Sequence, residues 1–174
     1  SYPTARPLHR LDFETSGIVL FSLQPETFGW YSDQFEHRTI SKKYTAVAEG
    51  RCMEPEGLID APLFTQTIGK VVISKRGKSS QTLWTLLEAF QHYSLIEANP
   101  LTGRTHQIRV HCSFIGHPVV GDPVYGHRHK SLPLDRQFLH AAKVRFALPG
   151  SGEQVEFESP LPDDLQAILQ QLRS

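Results

Sequence analysis

Strand-like segments outnumber helical ones in this sequence, and short turns rather than helices join many of them. Residues 17–23 (GIVLFSL) form a short apolar run rich in branched side chains, which predicts a buried strand. Further strands are predicted at 44–48, 81–87, 93–98, 139–147 and 155–158. This pattern favours an α+β fold with a mixed, mostly antiparallel sheet over a doubly wound parallel one.

Apolar residues recur at helical spacing in residues 25–36, where Pro25 suits the first turn of a helix. A second helix is predicted over 105–115, ended by Gly116. A last helix begins at 162–164, because a proline followed by two acids suits a first turn. The apolar stripe of this last helix consists of Leu165, Ile168, Leu169 and Leu172.

The chain has 174 residues, enough for one domain with a single core, and no linker divides it. We therefore expect one domain over residues 1–174. Because the chain opens on Ser1 without an initiator Met, we also expect an upstream segment in the full protein.

No stretch is apolar enough to span a membrane, and Cys52 and Cys112 lack a CxxC companion, which favours a reducing, cytoplasmic compartment. A monomer is the default expectation.

The net charge of zero argues at first against a nucleic-acid partner. The charge is uneven, however: residues 151–174 hold five acids and one base, so residues 1–150 carry 17 bases and 13 acids. Within this longer part, some of the basic residues form clusters at 70–78 (Lys70, Lys75, Arg76, Lys78), at 38–43 (Arg38, Lys42, Lys43) and at Arg104 with Arg109. Patches of this kind suit contact with phosphates, and a solvated basic loop is the alternative for each one.

Asp12 is the first candidate for chemistry. It follows His9 and Arg10 in a turn just before the predicted strand at 17–23. A neighbouring cation favours the ionised form of a carboxylate, and an ionised aspartate can act as a nucleophile in glycosyl chemistry. An aspartate here could also cap a turn or pair with Arg10 for structural reasons, and the residue pattern leaves both interpretations open.

A second candidate is the segment 101–111 (LTGRTHQIRVH), in which a glycine-containing turn opens the second predicted helix. Backbone N–H groups at a helix start and the guanidinium groups of Arg104 and Arg109 suit a phosphate or a carboxylate. Thr105 and Arg109 are four residues apart, so we expect them to share one helix face. A surface helix with solvated arginines is the alternative.

Several of the nine histidines lie close together, namely His106, His111, His117, His127 and His129. The spacing of His106 and His111 does not stack two ligands on one helix face, and Cys112 has no CxxC partner, so we expect no metal site. Asp122 lies in a loop rich in Gly and Pro and is predicted to be a turn former rather than a catalyst.

Taken together, these segments resemble the RluA family of pseudouridine synthases. The segment HRLDFETSG at 9–17 resembles the catalytic signature of that family, TGRTHQIRVH at 102–111 its second hallmark, and GHPVVGDPVYG at 116–126 the continuation. Shorter matches lie at 43–44, 77–82 and 139–142. The Lys-Pro-x-Gly segment with which members usually begin is not in this sequence.

The resemblance implies the catalytic fold of the family, a large mixed, mostly antiparallel sheet flanked by helices and loops. It also implies isomerisation of uridine to pseudouridine in structured rRNA or tRNA, without a metal or an organic cofactor. Asp12 is implied to be the nucleophile, attacking ribose C1′ or uracil C6, with Arg109 paired to it. Tyr44 is implied to stack on the base near the proton to be removed, and Arg10 to fill the RNA stack once the base is flipped out.

Further RNA-binding residues are implied by the same motifs. They are His9, Lys43, Arg104, Thr105 and His106, with the basic residues of 38–43 and 70–78 holding phosphates. Two other hypotheses stay open. One is a non-catalytic RNA-binding domain of the same fold. The other is a glycoside- or nucleoside-cleaving hydrolase that uses Asp12 with a second carboxylate, for which the motifs offer Asp122.

Overall fold

The computed structural model of the chain describes residues 3–127 and 132–174. The strands are β1 (Arg6–Pro7), β2 (Ser16–Gly17), β3 (Phe21–Ser22), β4 (Ser41–Glu49), β5 (Glu56–Asp60), β6 (Leu63–Thr65), β7 (Val71–Ile73), β8 (Gln81–Ala89), β9 (Tyr93–Pro100), β10 (Leu139–Ala147) and β11 (Gln154–Glu158). The helices are α1 (Pro25–Glu36), α2 (Gln107–Phe114) and α3 (Asp163–Arg173).

The main sheet has the strand order β11-β10-β4-β9-β8-β5, and every pair along this path is antiparallel. Strand β2 pairs with β10 in parallel, so the sheet is mixed. The pairs β1–β3 and β6–β7 form separate two-stranded sheets. The predicted α+β fold with a mixed, mostly antiparallel sheet is confirmed.

The two faces of β4 pack against different helices, because successive side chains of a strand point to opposite faces. Tyr44, Ala46 and Ala48 share a cluster with the buried side chains of α2. Val47 faces the other way, into a cluster with the buried side chains of α3. The candidate site therefore lies on the α2 face of the sheet, and α3 covers part of the opposite face.

Helices α1 and α3 form where the sequence predicts them. Residues 25–36 match the predicted range, and in α3 the apolar stripe is buried or packed against the core. No helix in residues 3–127 and 132–174 is long and apolar enough to cross a membrane.

Gly17 allows the Asp12 turn to be tied to the sheet. It adopts a φ of +117°, and a Cβ at this position would lie 2.3 Å from the carbonyl oxygen of Ala141. Because only glycine has no Cβ, it permits this close parallel pairing of β2 with β10. The turn that carries Asp12 is thereby held against β10.

The predicted buried strand at 17–23 is wrong as a continuous element. The chain changes partners within it: Ser16 and Gly17 pair with β10, whereas Phe21 and Ser22 pair with β1. Phe21 and Leu23 are 53% and 44% exposed, and Ile18 and Leu20 are partly buried. Apolar content predicted burial correctly for part of the run, but it carries no information about the change of partner.

Helix α2 begins at Gln107, two residues later than predicted. His106 has a left-handed backbone, with a φ of 55°, which cannot continue a right-handed helix. Thr105 therefore lies outside α2, and the expectation that Thr105 and Arg109 share a helix face is wrong.

Candidate active site

A cleft of about 980 Å³ opens where the Asp12 turn, the end of α1, the start of β4 and the start of α2 meet. Its walls include the predicted residues Asp12, Tyr44 and His106. Asp12 and Arg109, which are 97 positions apart in the sequence, are in contact at this place. The two motifs singled out in the sequence are thus brought to one site.

The Asp12 turn is held by backbone and side-chain hydrogen bonds. The Thr15 amide donates to the Asp12 carbonyl at 3.0 Å. The buried Gln137 side-chain amide donates to the Phe13 carbonyl at 2.6 Å and to the Thr15 hydroxyl at 3.1 Å. The Asp12 side chain remains 19% exposed, so the carboxylate is fixed in position and still open to the cleft.

Arg109 connects two carboxylates. Its Nη1 donates to Asp12 Oδ2 at 3.3 Å, while Nε and Nη2 donate to Asp122 Oδ2 and Oδ1 at 2.7 and 2.9 Å. The Arg109 side chain is 4% exposed and that of Asp122 is fully buried. Such a two-point contact holds a guanidinium in one orientation, which directs Nη1 at Asp12.

Asp122 combines two structural roles. Its Oδ1 also accepts hydrogen bonds from the backbone amides of Val124 and Tyr125, so it shapes the turn as predicted. Burial by itself would raise the pKa of Asp122, but the hydrogen bonds from Arg109 and from these two amides lower it below its usual value. Its ion pair with Arg109 was not predicted from the sequence.

Tyr44 supplies an aromatic ring to the cleft from β4. Burial raises the pKa of its hydroxyl to about 12, and the nearby charge of Asp12 adds to the effect. The hydroxyl is therefore protonated at neutral pH.

His106 is held beside the cleft by Tyr125. The Tyr125 hydroxyl accepts from the Val71 amide at 3.1 Å and lies 2.8 Å from His106 Nδ1. The Arg109 guanidinium lies over the Tyr125 ring at 5.2 Å. Burial lowers the pKa of His106, and non-glycine residues with a left-handed backbone are concentrated at functional sites.

Four of the five remaining predicted residues line the cleft, namely His9, Arg10, Arg104 and Thr105. The His9 ring accepts from the Leu20 amide at 3.1 Å, and its pKa is lowered to about 4, first by burial and then by Lys42. His9 is therefore a neutral packing and hydrogen-bonding residue of the cleft wall.

Lys43 does not line the cleft. It follows Lys42 on β4, so its side chain points to the opposite face, where its Nζ lies 2.7 Å from Glu97 Oε1. Lys42 lines the cleft instead. The structure therefore places Lys42, and not the predicted Lys43, in the wall of the cleft.

A second groove of about 460 Å³ adjoins the cleft at residues 103–105. Its walls include Arg76, Lys78 and Arg104. The Arg76 guanidinium lies 5.3 Å from the centre of the Phe64 ring, and Arg104 Nε donates to the Ser79 carbonyl at 3.2 Å. Part of the basic run at 70–78 therefore lines a groove that extends the cleft.

Gln107 was missed as a supporting residue. Its Oε1 accepts from the Thr102 hydroxyl at 2.6 Å and from the Arg104 amide at 3.1 Å. Its Nε2 donates to the Gln81 carbonyl and the Thr82 hydroxyl at 2.8 and 2.9 Å. One buried amide therefore ties the turn before α2 to β8, and a glutamine in a helix gives no sequence indication of such a network.

No three His, Cys, Asp or Glu side chains in residues 3–127 and 132–174 are placed to hold a metal ion. His129 lies outside the described residues. His111 is fully buried, with Nδ1 2.9 Å from the Thr82 hydroxyl and Nε2 2.9 Å from the Ala61 carbonyl. Both of its ring nitrogens are engaged in structural hydrogen bonds.

Residues 1–114 match the family model described as RNA pseudouridylate synthase. The chain is 44% identical over 168 residues to an uncharacterized RNA pseudouridine synthase of Chloroflexus aurantiacus, covering 95% of this chain and 53% of the relative. It is 38% identical over 180 residues to ribosomal large subunit pseudouridine synthase C of Vibrio parahaemolyticus, covering 98% of this chain and 57% of the relative. The chain thus spans about half the length of these curated relatives.

The solved structure of human RNA pseudouridylate synthase domain containing 1 is similar throughout. It superposes with a TM-score of 0.79 at 32% identity, covering 99% of this chain and 82% of the human chain.

Proposed function

The chain belongs to the RNA pseudouridylate synthase family, as its resemblance to the RluA family predicted, and we propose that it converts specific uridines in structured RNA to pseudouridine. The observation that carries this proposal is that Asp12 and Tyr44 line one cleft while Arg109 contacts Asp12 at 3.3 Å. The name of the Vibrio relative favours large-subunit ribosomal RNA as the substrate, with transfer RNA as the alternative. We further propose that residues 1–174 are the catalytic domain, acting in the cytoplasm as a monomer without a metal or an organic cofactor.

Asp12 is the nucleophile in this proposal. The reaction breaks the bond between ribose C1′ and uracil N1, joins C1′ to C5, and moves a proton from C5 to solvent while N1 gains one. A carboxylate can attack ribose C1′ or uracil C6, and either route needs an oriented anion open to the substrate. The Asp12 carboxylate has both properties, since Arg109 holds it and 19% of its side chain remains exposed.

Arg109 acts as the fixed cation of the site. Asp122 holds two of its nitrogens, which leaves Nη1 for Asp12. Because this arrangement exists before substrate binds, none of it has to be organised during the reaction. It also argues against a two-carboxylate hydrolase, since the Asp122 carboxylate is buried and engaged by Arg109 and two backbone amides.

Tyr44 supplies the plane on which the uracil stacks, and its hydroxyl relays the C5 proton. A protein ring stacked on an unpaired base is a common element of RNA recognition. Basic side chains line the cleft and the adjoining groove, among them Arg10, Arg104, Arg76 and Lys78, and they attract the phosphates of the RNA backbone. Arg10 is the residue that fills the stack when the target base leaves it.

Replacing Tyr44 with phenylalanine separates the two roles of this residue. Stacking needs only the ring, so RNA affinity is expected to stay within about twofold of wild type. Proton transfer needs the hydroxyl, so the rate of pseudouridine formation is expected to fall by about 10²–10⁴-fold. Single-turnover rates and filter binding measure the two effects, and full activity of Tyr44→Phe would show that the hydroxyl is not used.

The proposed activity is tested by incubating the protein with transcribed ribosomal and transfer RNA and separating the nucleosides by liquid chromatography. We expect pseudouridine to appear at the expense of uridine in one of these RNAs. RNA that is bound but never converted would instead identify a non-catalytic RNA-binding domain of the same fold.

A further inference from the structure

Lys42 is a cation in the wall of the cleft that has no carboxylate partner among the residues the structure describes. Its side chain projects from β4 on the same face as Tyr44, and its Nζ lies 5.3 Å from the centre of the Phe35 ring. Burial lowers its pKa. Within residues 3–127 and 132–174, no carboxylate lies within 4.0 Å of Lys42, although Asp12 and Glu36 also line the cleft.

An unpaired lysine in such a place costs stability, because a partly desolvated ammonium loses hydration that no carboxylate replaces. The contrast with Lys43 is direct. The next residue of the same strand, on the opposite face, has an ion pair at 2.7 Å. An anion brought in by a ligand would complete the environment of Lys42.

Arg38, in the same wall of the cleft, also carries a cost in stability, which lies in its backbone conformation. It follows the end of α1 with a φ of 58°, a left-handed conformation that favours glycine at this position of a helix end. Its amide donates to the Phe35 carbonyl at 3.3 Å, which closes the end of the helix. The side chain is exposed and lines the cleft. An arginine where the backbone favours glycine is consistent with a role for its guanidinium outside the fold.

We propose that Lys42 and Arg38 together bind one phosphodiester of the RNA, the one adjacent to the uridine that enters the cleft. This inference rests on the proposed function and adds to it the place at which the backbone of the target nucleotide is held. The two cations come from consecutive elements, the end of α1 and the start of β4, and line the same cleft as Asp12. A phosphate held there fixes the ribose, whose C1′ must meet the nucleophile.

The test compares Lys42→Met with Lys43→Met, two substitutions that remove the same charge from neighbouring positions. The probe is a short fluorescein-labelled RNA with one central uridine, whose affinity is measured by anisotropy across a range of salt concentrations. For Lys42→Met we expect about tenfold weaker binding at about 50 mM salt. The slope of log K against log salt should become shallower by about 0.7, the value for one phosphate of a single strand. Lys43→Met should bind like wild type.

A second set of RNAs locates the contact. Each phosphate next to the central uridine is replaced in turn by an uncharged methylphosphonate. One of these replacements is expected to weaken binding to the wild-type protein and to leave binding to Lys42→Met unchanged. Wild-type binding that is indifferent to both replacements would overturn the proposal, and so would equal losses for Lys42→Met and Lys43→Met.

Thermal stability separates a binding role from a structural one. Lys42→Met removes an unpaired charge and Arg38→Gly supplies the residue that the backbone favours, so both variants should melt no lower than wild type while they bind RNA more weakly. A lower melting temperature in both would mean that these side chains serve the fold, and would contradict the proposal. Binding is measured without turnover, so the two proposals can fail separately. If Lys42→Met weakens RNA binding as expected but the wild-type protein forms no pseudouridine, the proposed function is refuted and the phosphate contact is not.

Discussion

Replacing Asp12 with asparagine is expected to abolish pseudouridine formation, with a loss of at least about 10⁴-fold in the single-turnover rate. Asparagine preserves the size of the side chain but has no anionic oxygen with which to attack ribose C1′ or uracil C6. The fold should change little, because Arg109 keeps its two hydrogen bonds to Asp122 and Asp12 contributes one contact at 3.3 Å. We expect the free energy of unfolding to change by about 1 kcal/mol or less.

RNA binding gives the complementary measurement for Asp12→Asn. Removing an acid from the proposed RNA-binding cleft should leave RNA affinity unchanged or increase it. Glu14→Gln is the matched control, since Glu14 lies in the same turn with an exposed side chain and should retain full activity. An active Asp12→Asn variant would show that the nucleophile is another group.

Asp122→Asn is expected to have the largest effect on stability, a loss of about 3–5 kcal/mol, because it leaves the buried Arg109 charge without its main partner. The reaction should slow as well, since Arg109 is no longer held toward Asp12. Urea denaturation measures the first effect and single-turnover kinetics the second.

Asp164→Asn is the matched control for this substitution. Asp164 also accepts two hydrogen bonds from one arginine, Arg136, at 2.7 and 2.9 Å, but its side chain is 47% exposed. An exposed pair of this kind contributes about 1 kcal/mol or less. Equal losses for Asp122→Asn and Asp164→Asn would mean that burial of the Arg109 pair has no special consequence.

The pH dependence of stability follows from the lowered pKa of Asp122 in the folded protein. A carboxylate whose folded pKa is depressed stabilises the fold at pH values above its unfolded pKa, about 3.9. This contribution is lost as the pH falls through the lower, folded value. The difference in unfolding free energy between wild type and Asp122→Asn should therefore narrow below about pH 4, and a difference that stays constant there would contradict this account.

Elements with a strong local pattern could be predicted from the sequence. Helix α1 and strand β10 match their predicted ranges, because helical spacing and a long apolar strand are local properties. The short strands β5, β6 and β7 were not predicted. Each has at most five residues and depends on pairing with another segment. Pairing of this kind is a tertiary property that a short sequence window does not contain.

The candidate site shows the same division. The motifs pointed to Asp12, Tyr44 and Arg109, and the fold brings these residues together. Strand alternation alone could have separated Lys42 from Lys43, since Tyr44 was already expected to face the substrate. The partnership of Asp122 with Arg109 could not be read in the same way, because it depends on how a loop of Gly and Pro residues folds over α2.

The most direct test is to map pseudouridines in total RNA from cells with and without the gene, and from cells in which the gene carries Asp12→Asn. We expect one or a few uridines of ribosomal or transfer RNA to be modified in the parent strain. The same uridines should be unmodified both in the deletion strain and in the Asp12→Asn strain. Identical maps from all three strains would contradict the proposal that this chain is the catalytic domain of a pseudouridine synthase.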